Sequence, residues 1–330
     1  MKTQNEILIW LEQRNGDIMD VSMQALGKGI ELAEELDAEV SALIIGHEID
    51  DMIKDLQEYR VNKIYSVSDP ELKNFRIDLY TNIISDLLEN PRPEIMLFGA
   101  TDLSLQLAPA VAARLETGLT AHCSDLYIKE IDGEKQLITT VPGFKGGCIV
   151  EIVCPKHRPQ MATISAGAVK KPEKNKKKSC EIIDVEYEKK ELNGLELLEM
   201  EVKEPKCKLV ENSCVVIAGG RGVKSDQSVQ MVHELAEIFD GAVGGTRPST
   251  DKGWVPVENL IGSSGKTIQP DLFISLAASG AAHFSSGVLK SKYIIAVDKD
   301  PDASIFDICD LGIVADINEF LPKLISELKN

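Results

Sequence analysis

Two hydrophobic periods alternate along the first part of the chain. Residues 6–12, EILIWLE, form a nearly unbroken apolar run, as a strand buried on both faces requires. Residues 21–37, VSMQALGKGIELAEELD, repeat their apolar positions at helical spacing. The exchange continues with a strand at 38–46, a helix at 49–60, a strand at 61–67, a helix at 74–90, a strand at 94–101 and a helix at 103–116. This βα order predicts a mostly parallel sheet with helices on both faces. From about Leu119 the pattern changes: residues 119–130, 135–144, 147–154 and 159–165 are successive strand candidates separated by turns. Strands without helices predict hairpins that extend or flank the parallel sheet. Residues 180–190 give one more strand.

Residues 204–213, EPKCKLVENS, read as the crossing into a second unit. There, CVVIAGG at 214–220 is a buried strand ending in glycines, and 225–241 is an amphipathic helix with Ser225 or Asp226 as N-cap and Gly241 near its end. Strands follow at 271–279, 293–300 and 310–316, then a closing helix at 317–329. The predicted fold class is α/β in two domains. Residues 1–204 form a parallel-sheet domain with added antiparallel strands, and 205–330 form a doubly wound domain of nucleotide-binding type. In such sheets ligands sit outside the carboxyl ends of the strands.

Composition narrows the class. At 330 residues each domain can bury a full core. A formal net charge of −17 disfavours nucleic acid and anionic membranes, yet leaves room for a local anion site of backbone N–H groups and a few arginines. The N-terminal segment meets acidic and amide residues too early for a secretory signal, and no uncharged run approaches the roughly 18 residues of a membrane span. A cytoplasmic protein without membrane insertion is expected. Seven scattered cysteines imply reduced thiols. Cys148, Cys154 and His157 lack a second ligand pair for zinc, so core cysteines are the expectation and no metal is assigned. The basic run KKPEKNKKK, residues 170–178, reads as a solvated, flexible connector.

Residues 261–284, IGSSGKTIQPDLFISLAASGAAHF, carry two enzyme-like fragments. A phosphate-binding NTPase loop needs glycine five positions before Gly265-Lys266-Thr267, where this chain has Leu260. A nucleophile elbow needs glycine two residues either side of Ser279, where this chain has Ala277 and Ala281. Both readings fail, and no catalytic residue is assigned. His122 and Cys123 are neighbours on a strand and point to opposite faces, so they make no nucleophile pair. What remains is a set of polar glycine turns at strand ends: Arg221 in AGGRGVKS, Thr246 and Arg247 in GGTRPSTD, Gly262-Ser263-Ser264-Gly265, and Ser279-Gly280-Ala281-Ala282 opening an expected helix. Each alone is an ordinary turn; together they suggest one extended dinucleotide.

In this order and spacing, GGRGVKS, AVGGTRPSTDKGWVP, IGSSGKTIQPDLFISLAASGAAHF, AVDKDPDASIF and DLGIVAD resemble the α subunit of electron transfer flavoproteins. GATDLSLQLAPAVAARLETGLTAHCSDL and CPKHRPQMATI extend the resemblance to the first domain. It implies a soluble electron carrier, a heterodimer with a β subunit, which the first domain would contact. One FAD is held mainly by the second domain, and electrons pass between a flavin-containing dehydrogenase, acyl-CoA dehydrogenases being common, and another redox partner, in some microbial versions with electron bifurcation. By position, Arg221 and Thr246 match FAD contacts, and Arg247 matches the arginine near the isoalloxazine. Ile261, Gly262, Ser263 and Ser264 match the loop that addresses flavin N5. Ser279, Gly280, Ala281, Ala282, His283 and Phe284 match the stretch around the pyrophosphate and pyrimidine edge. Asp298, Asp316 and Ile317 match the adenosine end. A guanidinium is always charged and so favours the negative charge that reduced flavin carries near N1 and O2.

The chain departs from the family where Gln-His becomes His283-Phe284, and Ser264 and Asp298 replace the usual threonine and asparagine. Phenylalanine cannot donate to O2, so the resemblance implies a lower flavin potential than in relatives with the histidine, unless His283 turns in and substitutes. Two other classes stay open: a non-redox nucleotide-binding protein on the same scaffold, and a flavin enzyme with its own substrate.

Overall fold

The computed structural model describes residues 3–89, 91–131, 133–143, 148–175, 180–188, 198–200 and 207–329. The chain divides into two compact units, Met1–Leu197 and Leu198–Asn330. The boundary expected after residue 204 lies outside the described residues.

The first unit runs β1 (Thr3–Leu11), β2 (Gln13–Arg14), β3 (Asp17–Ile18), α1 (Asp20–Leu36), β4 (Glu39–Gly46), α2 (Asp50–Leu56), β5 (Lys63–Ser68), α3 (Ile77–Leu87), β6 (Arg92–Gly99), α4 (Ser104–Arg114), β7 (Leu119–Cys123), β8 (Asp125–Ile131), β9 (Glu134–Pro142), β10 (Ile149–Val153), β11 (Gln160–Ile164) and β12 (Glu181–Asp184). A seven-stranded sheet has the order β12-β5-β4-β1-β6-β11-β7, and all its pairings are parallel. The apolar run of β1 is explained by its central place. Ile7, Ile9 and Leu11 enter the core beneath α1 and α2, while Leu8 and Trp10 enter the core beneath α3 and α4. Alternation along one strand thus serves two cores at once.

The segment read as one strand over 119–130 is two. β7 joins the parallel sheet beside β11, whereas β8 starts a separate antiparallel sheet of order β10-β9-β8. His122, next to last in β7, has φ 56° where the register with β11 shifts, and the amide of Ser124 then donates to Thr140 O at 2.8 Å in the other sheet. From β7 onward in this unit, hairpin pairing is confined to β8, β9 and β10; β7, β11 and β12 pair in parallel. In this arrangement Cys148 is exposed and Cys154 half-buried, so neither is the core cysteine expected.

The basic run is also not the free connector expected. It lies within the first unit, between β11 and β12, and its residues 176–178 fall outside the described residues. The described part is a strap across α1 and α2. Lys171 pairs with Asp20 at 2.7 Å, and Lys174 with Asp55 at 2.7 Å and Glu58 at 2.6 Å. Lys174 also lies 5.7 Å over the Tyr59 ring, and the Asn175 amide donates to Glu58 O at 2.6 Å. Exposed pairs of this kind are individually weak, but a backbone contact fixes the path. A Cβ on Gly27 of α1 would lie 2.5 Å from Lys170 O.

The second unit runs β13 (Val215–Gly219), α5 (Asp226–Ile238), β14 (Ala242–Gly245), α6 (Arg247–Asp251), β15 (Leu272–Leu276), α7 (Ala282–Ser285), β16 (Ile294–Asp298), β17 (Leu311–Val314) and α8 (Ile317–Leu328). Its parallel sheet has the order β14-β13-β15-β16-β17. Ser225 is the N-cap of α5, its hydroxyl accepting from the Ser228 amide at 3.2 Å. Ile217, Leu235, Leu276 and Leu321 belong to the core on the α5–α8 face, and Val216, Ala218, Phe273 and Phe284 to the core on the other.

The strap yields a test with a definite sign. Alanine is favoured over glycine by about 1 kcal/mol in a helix interior, so Gly27→Ala would stabilise α1 if nothing lay against it. With the Lys170 carbonyl in the way, urea denaturation is expected to show a net loss of about 1–3 kcal/mol, the cost of overpacking.

Candidate functional site

In a doubly wound sheet the order of connection reverses at one point, and the crevice there is open because the flanking loops turn away to opposite faces. In the second unit this point lies between β13 and β15, since the chain passes from β13 to β14 on one side and then back to β15 on the other. In the first unit it lies between β1 and β6, and its own side chains close it. Glu12, 1% exposed, accepts from Arg14 at 2.7 Å and from the Thr101 hydroxyl. Thr101 and Ser104 are bonded reciprocally, side chain to amide, at 2.8 and 3.0 Å.

The second unit's edge is built differently, from main chain meeting main chain. After β13, the amides of Gly220 and Gly222 donate to Leu276 O at 2.8 Å and Ala277 O at 3.0 Å. A Cβ at Gly220 would overlap the Ala277 carbonyl. After β14, Ile261 N donates to Gly245 O at 2.9 Å and so hangs the 261–266 loop on that strand's end. Gly262, at φ 127°, closes this loop through Gly262 N to Lys266 O at 3.0 Å, and a Cβ there would overlap the His283 carbonyl. After β15, Ala277 (φ 51°) and Gly280 (φ 79°) turn the chain, and a Cβ at Gly280 would overlap the Ile305 amide.

The turn after β15 leaves a row of donors. Among the described residues, the amides of Ser279, Gly280, Ala281, Ala282 and His283 have no hydrogen-bond acceptor. The helix expected to begin here is a single turn, Ala282–Ser285, too short for an appreciable macrodipole, so these amides themselves supply the positive potential. Ser279, Ala281, Ala282 and His283 are exposed, as are Ser263, Ser264, Arg221 and Arg247; Thr246 is half-buried. Neither Arg221 nor Arg247 has an ion-pair partner among the described residues, although the chain carries 53 acidic side chains against 36 basic ones. The Lys266 ammonium, by contrast, is held by Glu211.

Phe284 faces away from this edge. It is 6% exposed and packs on Phe273 with ring centroids 6.1 Å apart, in the core that also holds Ile261. Its side chain therefore anchors the turn from below, in the core. The exposed imidazole of His283 occupies the rim instead, with Nδ1 2.9 Å from the Ser263 hydroxyl.

At the other end of the edge, buried Asp298 accepts from the Asp300 amide at 3.0 Å. Exposed Asp316 is the N-cap of α8, accepting from the Asn318 amide at 2.9 Å and from its side-chain amide at 2.8 Å. Those bonds, the backbone one foremost, hold its carboxyl below the usual aspartate range, with Lys299 and Lys224 adding to the effect. Ile317 is in the core beneath α8. The structure thus brings all the sequence-derived positions to one edge of one sheet, with Ile261, Phe284 and Ile317 as supports beneath it.

Three supporting residues were not read from the sequence. Buried Asn259 donates to Lys208 O and Val243 O, both at 2.8 Å, and accepts from the Val210 amide at 3.3 Å. Ser249 donates to Gly219 O at 2.7 Å, and Ser285 to Gly280 O at 2.9 Å. Asn259 and Ser249 tie loops to carbonyls distant in sequence and Ser285 fastens the turn it closes, and no periodicity signals either. Elsewhere, Cys123 is wholly buried with its thiol pushed up to about 12 by desolvation, while His122 is exposed.

Comparison with known proteins accords with this geometry. A model of the electron transfer flavoprotein domain matches residues 7–190, and one of the electron transfer flavoprotein FAD-binding domain matches residues 209–289. The chain is 36% identical to the electron transfer flavoprotein subunit alpha of Thermoanaerobacterium thermosaccharolyticum, over 100% of this chain and 99% of that one. It is 37% identical to the subunit of the same name from Clostridium acetobutylicum, over 98% and 96%. Subunit LctC of lactate dehydrogenase (NAD(+),ferredoxin) from Acetobacterium woodii is 37% identical, over 98% of this chain and 77% of its own length.

The backbone construction of the edge is tested at Gly280. Alanine there incurs the left-handed penalty of about 1–2 kcal/mol and a backbone overlap worth about as much again. Gly280→Ala is expected to lose about 3 kcal/mol in urea denaturation, with the m-value unchanged.

Proposed function

The chain belongs to the electron transfer flavoprotein family as an α subunit, an electron-carrying flavoprotein, and we propose that its flavin is one FAD held along the carboxyl edge of the second sheet. The observation that carries this reading is the row of amides from Ser279 to His283 that no acceptor claims among the described residues, flanked by two arginines without ion-pair partners among them. Uncommitted N–H groups in a tight turn form a cradle for a pyrophosphate, and the glycines let the ligand approach the backbone closely. Arg221 and Arg247 add fixed positive charge, and a guanidinium keeps that charge at every working pH. Ser263 and Ser264 offer hydroxyls at the same rim. Asp298 and Asp316, with Ile317 beneath, lie where the resemblance puts the adenosine. A bound flavin supplies the electron chemistry. The chain's own residues bind it, orient it and set the charge around it.

The reading includes partners. The three-stranded sheet presents β10 as an edge strand whose Ile149, Val150, Ile152 and Val153 are all exposed, Ile149 at 70%. An unpaired edge with apolar residues on both faces is an aggregation hazard in a protein that works alone. A β subunit covering this strand accounts for it. The electron donor and acceptor are then a flavin-containing dehydrogenase, acyl-CoA dehydrogenases being the type proposed, and a further redox partner. The relative whose name cites both NAD(+) and ferredoxin supports extending this to an electron-bifurcating system.

Coexpression with the β subunit should give a yellow heterodimer carrying one FAD per α chain, and a colourless complex that takes up no added flavin defeats the proposal. Replacing Arg247 by alanine removes a charged contact worth about 1.5–3 kcal/mol and should weaken FAD binding by roughly 10- to 100-fold in a fluorescence titration. For the partner surface, Ile149→Lys combined with Val150→Lys should abolish copurification of the β subunit while leaving the circular dichroism of the α chain unchanged. A heterodimer that survives both lysines places the interface elsewhere.

A further inference from the structure

Two loops from different strand ends meet on a single residue. Ser263, in the loop hung on β14, donates its amide to His283 O at 2.7 Å, and its hydroxyl lies 2.9 Å from His283 Nδ1. The same carbonyl accepts the Ser286 hydroxyl at 3.1 Å, and the missing Cβ of Gly262 makes room for it. His283 therefore fastens the 261–266 loop to the turn that carries the unclaimed amides. Its Nδ1 is committed to Ser263, whereas Nε2 has no partner among the described residues.

A serine hydroxyl is a rotor, and what it shows outward depends on what it gives inward. Against a neutral imidazole with a bare Nδ1, Ser263 spends its proton on the histidine and shows only lone pairs to the rim. Against an imidazolium, Nδ1–H donates to Ser263 Oγ and the hydroxyl proton turns outward. One proton on His283 thus converts Ser263 from an acceptor to a donor and places a positive charge beside the row of amides. Both changes favour an anionic ligand. The charged group carried by the packed loop is Lys266, already held by Glu211, and the 277–286 turn carries no ionisable side chain except His283. Arg221 and Arg247, on the neighbouring strand ends, keep their charge throughout.

We propose that His283 and Ser263 form a proton-operated positioning pair, in which protonation of His283 inverts the Ser263 hydroxyl and tightens the site on its anionic ligand; this rests on the flavin reading above. The pair itself is tested without flavin. In the flavin-free heterodimer, the ¹⁵N resonance of His283 Nδ1 should titrate differently in Ser263→Ala than in wild type, and identical titrations overturn the pair. Its action is tested by titrating FAD into the same complex at a series of pH values from 8 down to 5.5. Wild-type affinity should rise by about tenfold as the pH falls, the effect of one charge-assisted contact of roughly 1.4 kcal/mol. His283→Asn keeps a hydrogen-bonding atom at the Nδ1 position without a titrating ring. Whatever its affinity at pH 8, this variant should show no rise as the pH falls, while Ser263→Thr should keep the rise. A flat wild-type profile, a His283→Asn profile parallel to wild type, or a Ser263→Thr profile that is flat overturns the proposal. Failure of wild type to bind FAD at any pH, with the resonance shift intact, counts against the flavin reading instead.

Discussion

The second unit's edge depends on one constraint: backbone must approach backbone with no Cβ between. Gly220 against Ala277, Gly262 against His283 and Gly280 against Ile305 are three such approaches, each joining a different pair of loops. Because the loops satisfy one another only in part, a continuous row of amides is left without acceptors. Most of these residues are exposed, so the row offers an anion several backbone donors at once. Side chains then contribute charge and hydroxyls to a frame that the main chain has already set. A frame of this kind holds geometry more firmly than long side chains do, since few rotamers have to be frozen.

The two units share an architecture and use it oppositely. Each has a parallel sheet with a reversal of strand order, the place where doubly wound sheets take ligands. In the first unit that place is filled by Glu12, Arg14, Thr101 and Ser104, which satisfy one another. In the second it is lined by donors that nothing in the described chain satisfies. Charge follows the same division. An acidic chain neutralises Lys171, Lys174 and Lys266 with carboxylates, yet leaves Arg221 and Arg247 without them.

Much of this was legible in the sequence, for identifiable reasons. Strands buried on both faces, such as β1 and β13, announce themselves by unbroken apolar runs, and the parallel α/β class follows from their alternation with helices. The glycine turns could be seen because positive φ and close approach both select glycine, and the order of the motifs carried the family resemblance. Local pattern failed where a distant segment decides the outcome. Residues 119–130 read as one strand, since nothing local shows that Leu119 pairs with β11 and Leu126 with β9. The basic run read as a free linker because its acidic partners lie more than a hundred residues earlier, at Asp20, Asp55 and Glu58. The resemblance gives Phe284 a position along the chain, but its ring packs on Phe273 in the core, and no motif reports which way a side chain turns.

The path of the strap bears on how the molecule comes together. β12 pairs with β5, and the intervening chain contains three of that sheet's other five strands, β6, β7 and β11. During synthesis β5 is made early and its outer edge stays open until residues 181–184 have emerged, so the sheet is sealed late. The lysines that precede β12 pair with Asp20 of α1 and with Asp55 and Glu58 at the end of α2, which fixes the path of the chain before it reaches that edge. Without β12 the edge of β5 would be an unpaired strand, open to pairing with another chain, so a four-residue strand closes that side of the sheet.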